Sequence, residues 1–419
     1  YANIGRQTGA SGQGVHHFMS NSPWPAQAVI RQVQQEIASR PDLRRGGMLL
    51  LDESADEKAS EKTVGAGRQW NGRLGKTEMS QVGTFLAYVN GGVWTWVDGE
   101  LFLQEHWFSP EMAKARQRLG VPAERRFETK VQLGWKMIQR AVANGLPFEA
   151  VGCDDHYGRA EWFRREMDRA GIVYMADVPE NIQVYLSEPK VGVPVTECGH
   201  RGKPFTRERV LSAERSLSVK EVACREDTRY ERVCVRTTER GELADEFAAR
   251  RLWTIREGEV VQEWLVIRRE RTGDTSYSLS NAPAAATLAQ LAGLKCQRYF
   301  VERANQDSKS EIGWDELRAQ KYRAWEHHLA MTILATWFIA ETKLDWARQH
   351  PRDPQLAQQF ETDVLPALSV ANVRELLRAA MPLPELTPDD AIGLVVEHLV
   401  NRTRVRKSRM KSKQHLDTS

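Results

Sequence analysis

Runs of apolar residues that end abruptly on an acid organise this chain. Met48-Leu49-Leu50-Leu51 stops at Asp52, and Phe148-Glu149-Ala150-Val151-Gly152-Cys153 stops at Asp154. Gly46-Gly47 breaks the chain before the first run, so both read as buried strands that deliver a carboxylate at one end. Residues 82–89 and 93–103 alternate or run apolar on either side of Asn90-Gly91-Gly92, which predicts a hairpin. Helical periodicity covers about Pro25 to Ser39, 109–119, 126–144 and 159–170. Ser109-Pro110-Glu111 opens the second of these and Asn144-Gly145 closes the third. A further strand at 172–176 completes a β-α-β unit with 148–153. Strands followed by alternating helices and strands argue for a mixed sheet covered by helices.

The pattern changes over 178–283. Val219–Arg225, Arg232–Thr238 and Glu259–Arg269 alternate or run β-branched, which predicts a mostly β insertion closed by Pro283. Helical spacing resumes near Ala284 and runs through Trp346. Pro351, Pro354, Pro366, Pro382, Pro384 and Pro388 then separate short helices from a basic tail. The expected division is an N-terminal helical region (1–45, read as truncated because it starts at Tyr1), a first core segment (46–177), the insertion (178–283), returning core helices (284–346), and a C-terminal helical region with tail (347–419). No internal repeats are visible.

A chain of 419 residues exceeds one ordinary core, so two or three domains are expected. Five widely spaced cysteines without a C-x-x-C pair support neither a disulfide framework nor a zinc site. Cys198-Gly199-His200 reads as a loop. No apolar stretch nears the roughly 18 residues of a membrane span, and no signal-peptide pattern is present, so a cytoplasmic protein is expected. Net charge is only +3 but is unevenly placed. Arg402, Arg404, Arg406, Lys407, Arg409, Lys411 and Lys413 fall within twelve residues free of acids, and Arg201, Lys203, Arg207 and Arg209 form a second cluster. Such blocks favour a polyanion such as nucleic acid.

The helix predicted around Glu302 carries the next piece. At 100° per residue, Lys295, Arg298 and Lys309 lie about +20°, −40° and −20° from Glu302, on one stripe. Leu294, Val301 and Ile312 form an adjacent apolar stripe to pack on the sheet. Neighbouring cations keep a carboxylate ionised and offer donors to phosphate. Two strand-end acids and a third on a helix can hold two divalent metals, which stabilise both oxygens of a phosphoryl transfer.

Lys295-x2-Arg298-x3-Glu302-x6-Lys309 resembles the Y-x2-R-x3-E-x6-K signature of bacterial insertion-sequence transposases of the DDE superfamily, with Lys295 where Tyr is typical. Leu-Leu-Asp52-Glu-Ser resembles that family's first-Asp strand, the stretch from Gly67 to Tyr88 its following hairpin, and Cys153-Asp154-Asp155-His156-Tyr157-Gly158 its second-Asp segment. The resemblance spans roughly residues 20–345. It implies an RNase H-like α/β core, a mixed sheet flanked by helices and interrupted by a β-rich insertion. It implies Asp52, Asp154 and Glu302 as catalytic, metal-binding residues using Mg2+, with Mn2+ able to substitute. The implied partners are double-stranded DNA, as element terminal repeats and as target, and a second copy of the chain on paired ends. The resemblance also implies a nucleoid-associated protein. Arg298 and Lys309 are then expected on phosphates, joined by Lys295, Arg201, Lys203, Arg402, Arg404, Arg406 and Lys407. Glu53 and Asp155 are rivals of their neighbours, and alternation along a strand allows one ligand from each pair. The alternatives are a nuclease of the same fold that cuts without joining, and a DNA-binding protein that has lost catalysis.

Other features are less telling. Gly72 to Thr77 resembles a P-loop ending, but the required first Gly falls at Trp70. Lys58, Lys62, Arg68, Arg73 and Lys76 suit a DNA path or a solvated hairpin equally. His327-His328, Trp253 and Trp264 read as packing residues.

Overall fold

The structure is a computed structural model that describes residues 11–72, 74–195, 205–238, 241–349 and 368–380, with scattered positions between 387 and 403. The chain divides into two compact units, His17–Val373 and a smaller one of Tyr1–His16 with Arg374–Ser419. Two helices, α1 (Gly12–Ser20) and α11 (Val370–Ala380), straddle the division. The sheet and the candidate site belong to the larger unit. No helix among the described residues is long and apolar enough to cross a membrane.

Strand β1 (Met48–Glu57) is the organising element. Side chains alternate across a strand, yet Met48, Leu49, Leu50 and Leu51 are all buried, so both faces of β1 are covered. It pairs antiparallel with β3 (Lys76–Asn90) and parallel with β5 (Ala150–Cys153), which pairs parallel with β6 (Val173–Val178). β4 (Val93–Leu101) returns on β3 through a turn in which Gly91 has φ +57°, a conformation that favours glycine. The resulting order β4-β3-β1-β5-β6, with these directions, is the RNase H-like mixed sheet that the sequence led us to expect.

β3 starts six residues before the expected strand. Its polar first half pairs with β2 (Gly67–Asn71), a hairpin turned near Asn71-Gly72. The β-rich character of the insertion is also present. Two two-residue ribbons, β7 (Gln183–Val184) with β10 (Leu217–Ser218) and β8 (Val191–Gly192) with β9 (Arg209–Val210), precede its long strands. These are β11 (Glu231–Thr238), β12 (Gly241–Arg256), β13 (Glu259–Arg269) and β14 (Thr275–Ser280). They are not a separate body. β14 pairs antiparallel with β6, so among the described residues ten strands form one sheet. One segment read as strand is helical: α7 (Val219–Ala223) starts at a Ser218/Glu221 capping box, a local signal stronger than the β-branched valines.

The helices cover both faces. Ile30, Val33 and Ile37 of α2 (Ala26–Ser39) are buried, and Gln34 beside them donates to the Val97 carbonyl at 2.8 Å. Beyond α3 (Ala113–Leu119), α4 (Lys130–Ala143) begins later than its apolar pattern because Thr129 and Gln132 form a capping box. A Cβ at Gly134 would stand 2.4 Å from Leu51 Cδ2, so glycine is what lets α4 seat on β1. The short α5 (Asp155–Gly158) and then α6 (Glu161–Arg169) lead into β6.

Across the sheet from α4 lie α8 (Leu288–Cys296), α9 (Tyr299–Ser310) and the long α10 (Tyr322–Gln349), and α10 also packs along α2, where Trp337 Nε1 donates to Glu36 at 3.0 Å. Phe85 stacks on Trp96 at 4.1 Å, and Trp314 meets both rings edge-on at 5.4 Å. Each such pair contributes roughly 0.5–1.5 kcal/mol beyond its buried area. They seal the sheet beneath α9 and α10.

Candidate active site

Register assembles the site. Leu51 pairs with Cys153, and Cys153 with Ala176. The next residue on each of the three parallel neighbours is an acid: Asp52, Asp154 and Asp177. The backbone therefore carries three carboxylates in one row across β1, β5 and β6, with Asp52 at the middle of β1 and not at its end, because β1 continues along β3 to Glu57.

Alternation decides which acids of β1 point where. Leu51 and Glu53 face α4, where the Lys130 ammonium pairs with Glu53 at 2.7 Å. Asp52 faces α9. Its Oδ2 accepts from Asn305 Nδ2 at 3.1 Å and its Oδ1 from the Glu53 N–H at 2.8 Å. Asn305 is held in turn, because its Oδ1 accepts from Trp96 Nε1 at 2.9 Å. Asp154 is the N-cap of α5, its Oδ1 accepting the N–H groups of His156 and Tyr157 at 3.0 and 3.3 Å. Asp155 points to solvent and pairs with Arg159 at 2.8 Å. The glycine that ends this segment is sterically required, since a Cβ at Gly158 would lie 1.9 Å from the Asp177 carbonyl oxygen.

The electrostatics follow from crowding these acids. Burial pushes the Asp52 carboxyl up to about 7, and the charge of Asp154 adds to the rise; Arg298 and the Glu53 N–H pull against it. Burial also raises Asp154, opposed by Arg298 and the Tyr157 N–H. Asp177 goes the other way: burial would raise it, but Lys295, Arg298 and the Ser278 hydroxyl outweigh that and hold it below the usual carboxylate range. Arg298 is the cation common to all three. Its guanidinium is 3.4 Å from Asp177 and 4.0 Å from Glu302, and it feels the charges of Asp52 and Asp154.

The helix that bears Glu302 differs from a single continuous one. Gln297 and Arg298 separate α8 from α9, and the N–H groups of Phe300 and Val301 bond three residues back, to Gln297 and Arg298. The tightened turn breaks the angular sum that put Lys295 on the Glu302 stripe. Lys295 is buried, and its ammonium donates to Asp177 Oδ1 at 2.9 Å and Ser278 Oγ at 2.5 Å. The expected phosphate contact at Lys295 is thus replaced by an internal ion pair. Lys309 lies beyond Asp52 along β1 and donates to the Ala55 carbonyl at 3.0 Å. Glu302 is exposed on the first turn of α9.

Asp52 and Asp154 are therefore brought together, with Glu302 on the same helix as Asn305 and tied to the site through Arg298. Among the described residues, no three His, Cys, Asp or Glu side chains are gathered closely enough to hold a metal ion. The donors still suit one. Two crowded carboxylates, each raised toward protonation, gain most from a hard divalent cation that accepts oxygen ligands. Arg201, Lys203, Arg402, Arg404, Arg406 and Lys407 lie outside the described residues. His327 has a packing role, its ring nitrogens 2.9 Å from the Met19 and Trp24 carbonyls.

Two residues of the site escaped the sequence reading. Asn305 sits one turn after Glu302, a spacing that was readable, though its contact with Asp52 was not. Asp177 was readable as a third strand-end acid, had the strand at 172–176 been carried one residue further.

A family model described as DDE superfamily endonuclease matches residues 2–242, more than half of the chain. A curated relative, the probable transposase for insertion sequence element IS701 of Microchaete diplosiphon, is 29% identical over 175 residues. That match covers 42% of each of the two chains.

Proposed function

This chain belongs to the DDE superfamily endonucleases, and from that premise we propose that it is an insertion-sequence transposase, which cuts the ends of its element and joins them to target DNA. The observation that carries the reading is the pair Asp52 and Asp154, one residue past the register pair Leu51–Cys153 of adjacent parallel strands, with the Arg298 charge acting on both. A relative named as a transposase supports the choice within the family.

Asp52 and Asp154 would hold divalent metal, Mg2+ with Mn2+ as a substitute, and Glu302 would complete the set. When bound, such ions neutralise charge on the phosphodiester and activate the attacking oxygen. Asn305 fixes the Asp52 carboxylate, and the α5 N–H groups fix that of Asp154, so little ordering remains at the moment of reaction. Arg298 and Lys309 flank the acids along α9 and would hold DNA phosphates by charge-assisted hydrogen bonds. No side-chain nucleophile is required. The basic clusters at Arg201 and Lys203 and at Arg402, Arg404, Arg406 and Lys407 would add contacts along the backbone, and two copies would act on paired ends.

The test is strand transfer. Duplexes carrying the DNA that flanks the coding sequence are incubated with the protein, Mg2+ and a supercoiled plasmid. Covalent joining of duplex 3′ ends to plasmid is expected. Cutting without joining would support the nuclease of the same fold, and binding without cutting the catalytically retired protein.

A further inference from the structure

Asp177 lies beside the site without being free to act in it. Oδ1 accepts from Lys295 Nζ at 2.9 Å and from Ser278 Oγ at 2.5 Å, and Oδ2 faces the Arg298 guanidinium at 3.4 Å. Ser278 is its register partner on β14, and Lys295 comes from α8, so the carboxylate joins two strands to the helix pair that bears Glu302. Both Lys295 and Ser278 are buried. A buried ammonium persists only where a partner compensates its desolvation, and here the partner is Asp177.

We infer that Asp177 is a positioning residue: with Lys295 as its fixed counter-ion, it holds Arg298 off Asp52 and Asp154, keeping those two carboxylates open for divalent metal. The inference rests on the metal-binding reading of the preceding subsection. Its logic is competition for one guanidinium. Arg298 is within the field of four acids: Asp177, Asp52, Asp154 and Glu302. Of the four, Asp177 forms the closer recorded ion pair with Arg298, 3.4 Å against 4.0 Å for Glu302, and its carboxylate is held in place by Lys295 and Ser278. Remove its charge, and the strongest remaining attraction on Arg298 is toward Asp52 and Asp154. A guanidinium paired there would occupy the oxygens a metal needs. Lys295 thereby gains a role that a neutral residue at its position would not supply.

The experiment is Mn2+ binding to the full chain without DNA, followed by the electron paramagnetic resonance of the free ion. Three proteins are compared: wild type, Asp177→Asn with Lys295→Met, and the same pair with Arg298→Ala. The double variant removes both charges, so no lone buried ion is left. Its Mn2+ dissociation constant is expected to rise roughly tenfold, the order of effect of one close charge at a partly screened site. The triple variant is expected to return to the wild-type value or below it. Asp177→Asn alone is the second arm and should weaken binding in the same sense. A folded double or single variant that binds Mn2+ like wild type would overturn the inference. So would a triple variant as weak as the double, because the loss would then not pass through Arg298. Wild type that binds no Mn2+ would overturn the metal-binding reading, and this inference with it.

Discussion

At the scale of single residues, environment separates acids that look alike in the sequence. Asp52 and Glu53 are adjacent carboxylates, but strand alternation turns one to Asn305 and the other to Lys130. That outcome was legible in advance as a choice of one from each pair. The resemblance favoured Asp52 and Asp154 over their neighbours; alternation alone left the direction open, because it depends on which helix covers which face. Glu326 on α10 shows the same dependence on surroundings. Burial pushes its carboxyl up to about 7, the charge of Glu100 adds to the rise, and Arg125 and Arg323 oppose it. The sign is then fixed. Below the ordinary carboxylate range Glu326 is neutral whether folded or not, and it costs nothing. As pH rises toward 7 the unfolded chain ionises first and stability is lost; above 7 the penalty is constant. Glu326→Gln should therefore match wild type in urea unfolding at pH 4 and exceed it by about 1–3 kcal/mol at pH 8. An equal difference at both pH values would show that the gain has another origin.

At the scale of elements, apolar runs and turn residues announced most strands and helices, while their ends answered to caps. Thr129/Gln132 set the start of α4 and Ser218/Glu221 created α7, both capping boxes of the S/T-x-x-E/Q kind that the apolar pattern overrode in the sequence reading. The hairpin of β2 and β3 was legible through the family resemblance of Gly67–Tyr88 and not through an apolar pattern, because its buried face, Gln69, Asn71 and Ser80, is itself polar and internally hydrogen-bonded. The break between α8 and α9 has no Gly or Pro to mark it. Its effect reaches the site, because it moves Lys295 from the surface stripe into the sheet and leaves Arg298 alone at the head of α9. Glu302 and Arg298 share an ion-pair contact at 4.0 Å, whereas Lys295, beyond the break, is buried against Asp177.

At the scale of the whole molecule, the core topology followed from local patterns, but the reach of the sheet did not. Pairing of β14 with β6 joins residues about a hundred positions apart, and no local signal specifies it. The insertion consequently buttresses the strand that bears Asp177 and, through Ser278, the Lys295 pair. The basic tail is legible only as charge, and its prediction is electrostatic. Deleting residues 402–419 should weaken binding to any duplex. In a salt titration on end and random sequences, the slope of log affinity against log salt should fall by roughly 0.9 for each phosphate that the tail neutralises. Equal slopes before and after deletion would mean that the tail leaves phosphates untouched.

The central proposal is that Asp52, Asp154 and Glu302 form the metal-dependent cutting centre. The direct measurement is single-turnover cleavage of element-end duplexes in Mg2+ and in Mn2+, with end binding read in parallel. Asp52→Asn, Asp154→Asn and Glu302→Gln, which each remove a charge while nearly keeping shape, should each abolish cleavage and leave binding within about twofold, less than roughly 0.4 kcal/mol. Glu53→Gln and Asp155→Asn should keep cutting, since their carboxylates are paired with Lys130 and Arg159. Cleavage that survives Asp52→Asn or Asp154→Asn, or that is lost with Asp155→Asn in place of Asp154→Asn, would contradict the account.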